Sequence, residues 1–204
     1  NTVLGCGHFE PLRHYAEVHL ALSPGKRGSG ITFESKCPFD QLDRSYQNLI
    51  RTHVFERELR GVLVGAPLTD VRVTLLAGKA HEKHTEGGDF REAVYRALRQ
   101  GLMQAESILL EPWYAFRIQA DSRQLGRILS DIQRLQGVFE PPRQQENRVT
   151  VNGRGPAAGF INYSRELAAF TKGKGMFSFR FDGYEPCQNQ EELAARFSYD
   201  PEAD

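Results

Sequence analysis

Residues 15–22 (YAEVHLAL) alternate Tyr15, Glu17 and His19 against Ala16, Val18 and Leu20. That two-residue period predicts a half-buried strand. Residues 23–30 (SPGKRGSG) have turn composition, and alternation resumes at Ile31, Phe33 and Ser35. The stretch is therefore expected to form a hairpin with a basic, glycine-rich loop. From Asp40 to about Arg60 the period becomes helical, with Leu42, Tyr46, Leu49, Ile50 and Val54 on one face and Asp43 at a capping-box-like start. Gly61 is expected at the left-handed position after that helix. A strand is expected over residues 71–76. Asp89 is expected to cap a second helix striped by Phe90, Val94, Leu98 and Leu102, with Glu92 three residues on.

Residues 108–120 (ILLEPWYAFRIQA) open a new pattern, with Tyr114, Phe116 and Ile118 on one side of a strand. A helix is expected over 122–136, carrying Leu125, Ile128, Leu129, Ile132 and Leu135 and stopping at Gly137. Short strands near 138–140 and 148–152, a helix near 160–170, the turn TKGKG and the strand MFSFRF complete the chain's second half. This order, β-α-β-β-α-β, is the ferredoxin-like unit. The fold class expected is α+β in two domains, joined near residues 105–107 without a long linker. Residues 1–106 form a split β-α-β domain; residues 107–204 form a ferredoxin-like domain with a polar tail. Phe177, Phe179 and Phe181 are read as core, because the neighbouring RVTVNG lacks the aromatics of an RNA-stacking sheet.

Composition narrows the function. Lys+Arg and Asp+Glu both number 26 in 204 residues, so no global field draws the chain to nucleic acid, and any such contact must use local patches. Cys6, Cys37 and Cys187 are odd in number and form no CxxC pair, which favours reduced thiols in a cytoplasm. No apolar run approaches the roughly 18 residues of a membrane span, and no signal peptide is present, so no membrane partner is expected. The chain opens at Asn1, without an initiator Met and directly on strand-like sequence; a piece of a longer protein is expected.

The chemistry concentrates in residues 75–90 (LLAGKAHEKHTEGGDF). His81 and His84, three apart, could hold a metal if Glu86, Asp89 or the histidines His8, His14 and His19 supplied further ligands. A glycine-rich loop lacks the helical scaffold that aims ligands in an HExxH site. The residues could equally be a solvated loop or a polar finger directed outward. GCGHFEP (residues 5–11) lacks the third glycine of a dinucleotide fingerprint and reads as a flexible loop beside a strand. There is no GxxxxGK[ST] loop and no GxSxG, so no nucleotide cofactor and no catalytic residue are expected in this stretch of chain. Local positive charge stands at glycine-flanked turns (Lys26 and Arg27, Lys172 and Lys174) and at Arg13-His14. Such turns can approach a phosphate backbone.

Several segments, in order from about Gly5 to Tyr184, resemble the last two domains of elongation factor G and the related tetracycline-resistance ribosomal-protection proteins. GAPLTDVRVTLLAGKAHE is similar to the family's strand leading to a tip loop. ILLEPWYAFRIQAD is similar to its "LLEP" entry into the last domain, and LAAFTKGKGMFSFRFDGY to its closing strand. GSGITFES with LDRSYQNLI is nearest the ribosomal-protection branch. His81 matches a histidine common at that point in elongation factor G; the following EKHTEGG departs from that factor's aspartate-serine pattern and lacks the prolines of drug-displacing tips. The resemblance implies a translational GTPase whose GTP- and Mg-binding domains precede this region in cis. It implies a partner, the ribosome with its RNA and proteins, reached by the tip residues His81, Glu82, Lys83, His84, Thr85, Glu86, Gly87 and Gly88, with the basic turns in support. Translocation, tetracycline release, a related rescue function and a metal-dependent enzyme built on His81 and His84 stay open as alternatives.

Overall fold

Four strands of the first sheet, β1 (Val3–Phe9), β2 (Ala16–Pro24), β3 (Ile31–Ser35) and β4 (Val71–Ala80), lie in the order β1-β2-β4-β3 in this computed structural model, which describes residues 1–203. Contacts divide the chain into two units, Asn1–Ser107 with the tail from Asn189, and Ile108–Gln188. The tail, expected in the second domain, groups with the first. Its Tyr199 ring fills the space beside Gly65, where an added Cβ would lie 2.7 Å from the ring.

In the first unit β1 pairs antiparallel with β2 and β2 antiparallel with β4, while β3 runs parallel to β4. Helix α1 (Arg44–Phe55) makes the crossover between β3 and β4. The expected hairpin of β2 with β3 is not formed, because β4 lies between them. Asp70, just before β4, holds the loop in place: its carbonyl accepts from Gly25 N–H at 2.7 Å and its carboxylate from Gly30 N–H at 3.3 Å. Both ends of the glycine-rich loop are thus fastened across the start of β4.

Residues 5–9, expected as part of a loop, belong to edge strand β1. Helix α2 (Gly87–Gln104) crosses directly over Gly5 and Gly7, whose added Cβ atoms would fall 1.9 Å from the Ala97 carbonyl oxygen and 1.6 Å from that of Ala93. Here glycine permits a backbone-to-backbone approach rather than a flexible loop. The core between sheet and helices includes Val18, Leu20, Ile50, Val54, Val73, Leu75, Phe90 and Val94, all at most 1% exposed. α1 ends at Phe55, well short of Gly61, and the left-handed glycine of the following turn is Gly65. At α2 the cap is Glu86 rather than Asp89. Asp89 occupies the third helical position and its carboxylate accepts the Glu86 N–H at 2.8 Å, completing a capping box.

The second unit contains β5 (Leu110–Asp121), α3 (Leu125–Arg134), β6 (Val138–Phe139), β7 (Arg143–Gln145), β8 (Arg148–Pro156), α4 (Ala157–Phe160), α5 (Tyr163–Thr171) and β9 (Met176–Pro186). Its antiparallel sheet has the order β6-β8-β5-β9, with β7 also on β8, which is the ferredoxin-like arrangement. β6 and β7 are one edge strand broken at Pro141-Pro142, which have no N–H for the ladder, and the register slips by one residue across the break. α3 closes with Gln136, not Gly137, in the left-handed position. Gln136 N–H reaches Gln133 O and Gly137 N–H reaches Ile132 O, a Schellman pair. Gly137 is small because a Cβ there would meet the Phe160 ring at 2.9 Å.

The aromatic strand departs from its expected role as core. Phe177 packs on the core, but Phe179 and Phe181 are 47% and 55% exposed. They share a face with Phe177, yet β9 is the sheet edge, where the row runs beyond its cover; Phe179 stacks on Tyr114 instead. The last helix, α6 (Gln190–Phe197), lies in the tail. Among the described residues no helix is long and apolar enough to cross a membrane.

Candidate functional site

β2 and β4 pair from Pro24↔Val71 to Ala16↔Ala80, so the chain leaves β4 beside the start of β2. Residues 81–86 form a short loop there before α2 begins. Thr85 N–H and His84 N–H both return to His81 O, at 3.0 and 3.1 Å. The Thr85 hydroxyl accepts from His81 N–H and donates to Tyr15 O, each at 2.7 Å. Tyr15 N–H in turn donates to His84 O at 2.8 Å. The loop is therefore closed on itself and fastened to β2, while the side chains of His81, Glu82, Lys83 and His84 stay exposed.

The two imidazoles stack, with centroids 4.6 Å apart and planes inclined by 24°. Imidazole lone pairs lie in the ring plane, so near-parallel stacked rings do not aim them at a common point. His81 Nδ1 also accepts the Lys83 N–H at 3.2 Å, which places the proton of the neutral ring on Nε2. Of the further ligands considered, Asp89 is engaged in the α2 cap and lies 2.9 Å from His14 Nδ1. The arrangement presents flat rings and donors outward, which suits stacking and backbone contact better than chelation.

A second turn joins this end of the sheet. His14 N–H donates to Pro11 O, Arg13 is left-handed at φ 68°, and Leu12 at its apex is 91% exposed. Arg13 and His14 thus stand beside the His81 loop. Lys26 and Arg27 do not: they follow Pro24, at the other end of β2, some eight residue rises or about 27 Å away. Lys172 and Lys174 belong to the second unit, where Lys172 caps α5 in a left-handed conformation at φ 53°. Gly87 and Gly88, expected in the loop, form the first turn of α2. Sequence reasoning missed Leu12 and Tyr15. An apolar residue between Pro11 and Arg13 in an otherwise polar turn was the available signal for Leu12; the role of Tyr15 is carried by its backbone and had none.

Two family profiles match in succession: elongation factor G, domain IV, over residues 8–106, and elongation factor G C-terminus over residues 108–193. Between them they account for nearly the whole chain. The chain belongs to the elongation factor G family. It is 29% identical over 188 residues to a tetracycline resistance protein, TetP, of Clostridium perfringens, covering 92% of this chain and 29% of that protein. It is 31% identical over 173 residues to elongation factor G 1 of a Synechocystis species, covering 85% of this chain and 25% of that protein. A crystal structure of a Thermus thermophilus protein superposes over 100% of this chain and 31% of its own, with TM-score 0.83 and 25% identity. The chain thus spans less than a third of the length of each. The loop at residues 81–86 and the turn at residues 10–14 lie within the domain IV match.

Proposed function

We propose that this chain is the C-terminal ribosome-contacting part of a translational GTPase, and that residues 81–86 are the finger that reaches ribosomal RNA in the decoding region. The observation that carries the reading is the loop itself: stacked, exposed His81 and His84 on a base fastened to Tyr15, at one end of a domain matching elongation factor G domain IV. A loop of this kind can lay an imidazole on an unpaired base and bring donors to phosphate. Arg13 and the exposed Leu12 extend the same surface. Lys26, Arg27, Lys172 and Lys174 would act as separate phosphate contacts. GTP and Mg would be held by domains preceding this region, in a cytoplasmic protein.

Within the family we favour the ribosomal-protection, tetracycline-resistance type. The support is the GSGITFES and LDRSYQNLI segments, together with the match to TetP over 92% of the chain. Elongation factor G 1 matches at a similar level, so translocation is the second reading. The discriminating experiment uses the full-length protein. Ribosomes programmed with tetracycline should regain aminoacyl-tRNA binding on its addition, whereas factor-free ribosomes should not translocate with it. Translocation without drug release would reverse the assignment within the family.

A further inference from the structure

The outer face of the first sheet carries a different cluster. Cys6 on β1 stands across from His19 on β2, and His8 across from Glu17. β1 is the edge strand, and its Cys6 N–H points off that edge to Gln100 Oε1 at 2.6 Å. Cys6 and His19 are therefore a non-hydrogen-bonded pair, the kind whose side chains stand closest. Gly5 and Gly7 meet α2 on the inner face, which directs Cys6 and His8 to the other side.

The donor atoms converge. Cys6 Sγ lies 3.8 Å from His19 Nε2, His19 Nε2 lies 2.6 Å from Glu17 Oε1, and the three ligand atoms are all within 4.8 Å of one another. Tyr15 OH donates to Glu17 Oε2 at 2.8 Å, leaving the other oxygen turned to His19.

We propose that Cys6, Glu17 and His19 form a binding site for a thiophilic divalent cation, zinc by its ligand set. Tetrahedral zinc, with bonds of about 2.0–2.3 Å, separates its donors by about 3.3–3.6 Å. The sulfur-to-nitrogen distance is close to that already. The His19–Glu17 contact opens by less than about 1 Å as the ion takes the place of their shared proton. Thiolate, imidazole and carboxylate together select zinc or cobalt over magnesium or calcium. Three protein ligands leave a fourth position for water. Tyr15 is a positioning residue, fixing the carboxylate from behind as outer-shell partners do.

Titration of the protein with Co2+, followed by absorption, tests the site. One equivalent should give a thiolate-to-cobalt charge-transfer band and tetrahedral d–d bands, both displaced by Zn2+. Cys6→Ser should abolish the charge-transfer band, while Cys37→Ser and Cys187→Ser keep it. Tyr15→Phe should weaken binding about 10-fold and His19→Ala at least about 100-fold, with circular dichroism showing each variant folded. A folded wild type without the band at saturating Co2+, or a band surviving Cys6→Ser, would overturn the proposal. Should Cys6→Ser not fold, alkylation of Cys6 in the wild type decides: slowing by Zn2+ upholds the site, and an unchanged rate refutes it.

Discussion

The Thr85 hydroxyl donates to the Tyr15 carbonyl at 2.7 Å, joining residues 70 positions apart. The same oxygen accepts the His81 N–H at 2.7 Å. One small side chain thus sets both the shape of the His81 loop and its attachment to β2. Thr85→Val keeps the volume and removes both bonds. We expect a loss of about 1–2 kcal/mol in urea unfolding, with faster hydrogen exchange at the amides of His81 and Tyr15. Equal stability and unchanged exchange would show that the loop is held elsewhere.

Gly5 and Gly7 should tolerate no side chain. An added Cβ meets the Ala97 or Ala93 carbonyl oxygen at under 2 Å, and both neighbours are backbone. Gly7→Ala is expected to cost about 3 kcal/mol or to prevent folding of the first unit. Gly126→Ala is the counterpart. It lies in α3 with nothing within 4 Å of the new methyl, so a gain of about 0.5–1 kcal/mol is expected. Thermal melts of the two variants should move in opposite directions.

Glu56 gives the first unit an acid-sensitive contact. Hydrogen bonds from Arg91 above all, with Tyr95 and His53 adding to them, hold its carboxyl at about 2 instead of 4.5. Folding therefore gains from ionised Glu56 at every pH above about 4.5, and the gain is lost as pH falls from there toward 2. Arg91 is half exposed, so solvent screening limits the effect to on the order of 1 kcal/mol. Urea midpoints of wild type should fall more steeply than those of Glu56→Gln across this window. Parallel slopes would contradict the assignment.

Which parts of this were legible in sequence follows from what patterns encode. The stripe of Phe90, Val94 and Leu98 placed α2, since burial of one helix face is written at helical spacing. Alternation at Ile31 and Phe33 revealed β3 but not its partner, because a strand's period says nothing about which neighbour it pairs with; β3 pairs parallel with β4. Gly5 and Gly7 carried a loop signal for a strand, as the reason for glycine lay in a helix some 90 residues away. Phe179 and Phe181 had the periodicity of a core, yet only the sheet order shows that they sit on an edge. At the candidate site the exposed histidines were legible from composition, whereas the Tyr15 staple, being backbone, was not.

On the proposed function, His81 and His84 face outward to meet RNA and do not support the fold. The direct measurement pairs a thermal melt of this chain carrying His81→Ala and His84→Ala with ribosome affinity of the full-length protein carrying the same changes. Exposed substitutions should alter stability by no more than about 0.5 kcal/mol. Loss of a base-stacking contact should weaken ribosome binding by about 1–3 kcal/mol, roughly 5- to 150-fold. An unchanged melt with weakened binding is the predicted result; a lowered melt with unaltered ribosome affinity would contradict the account.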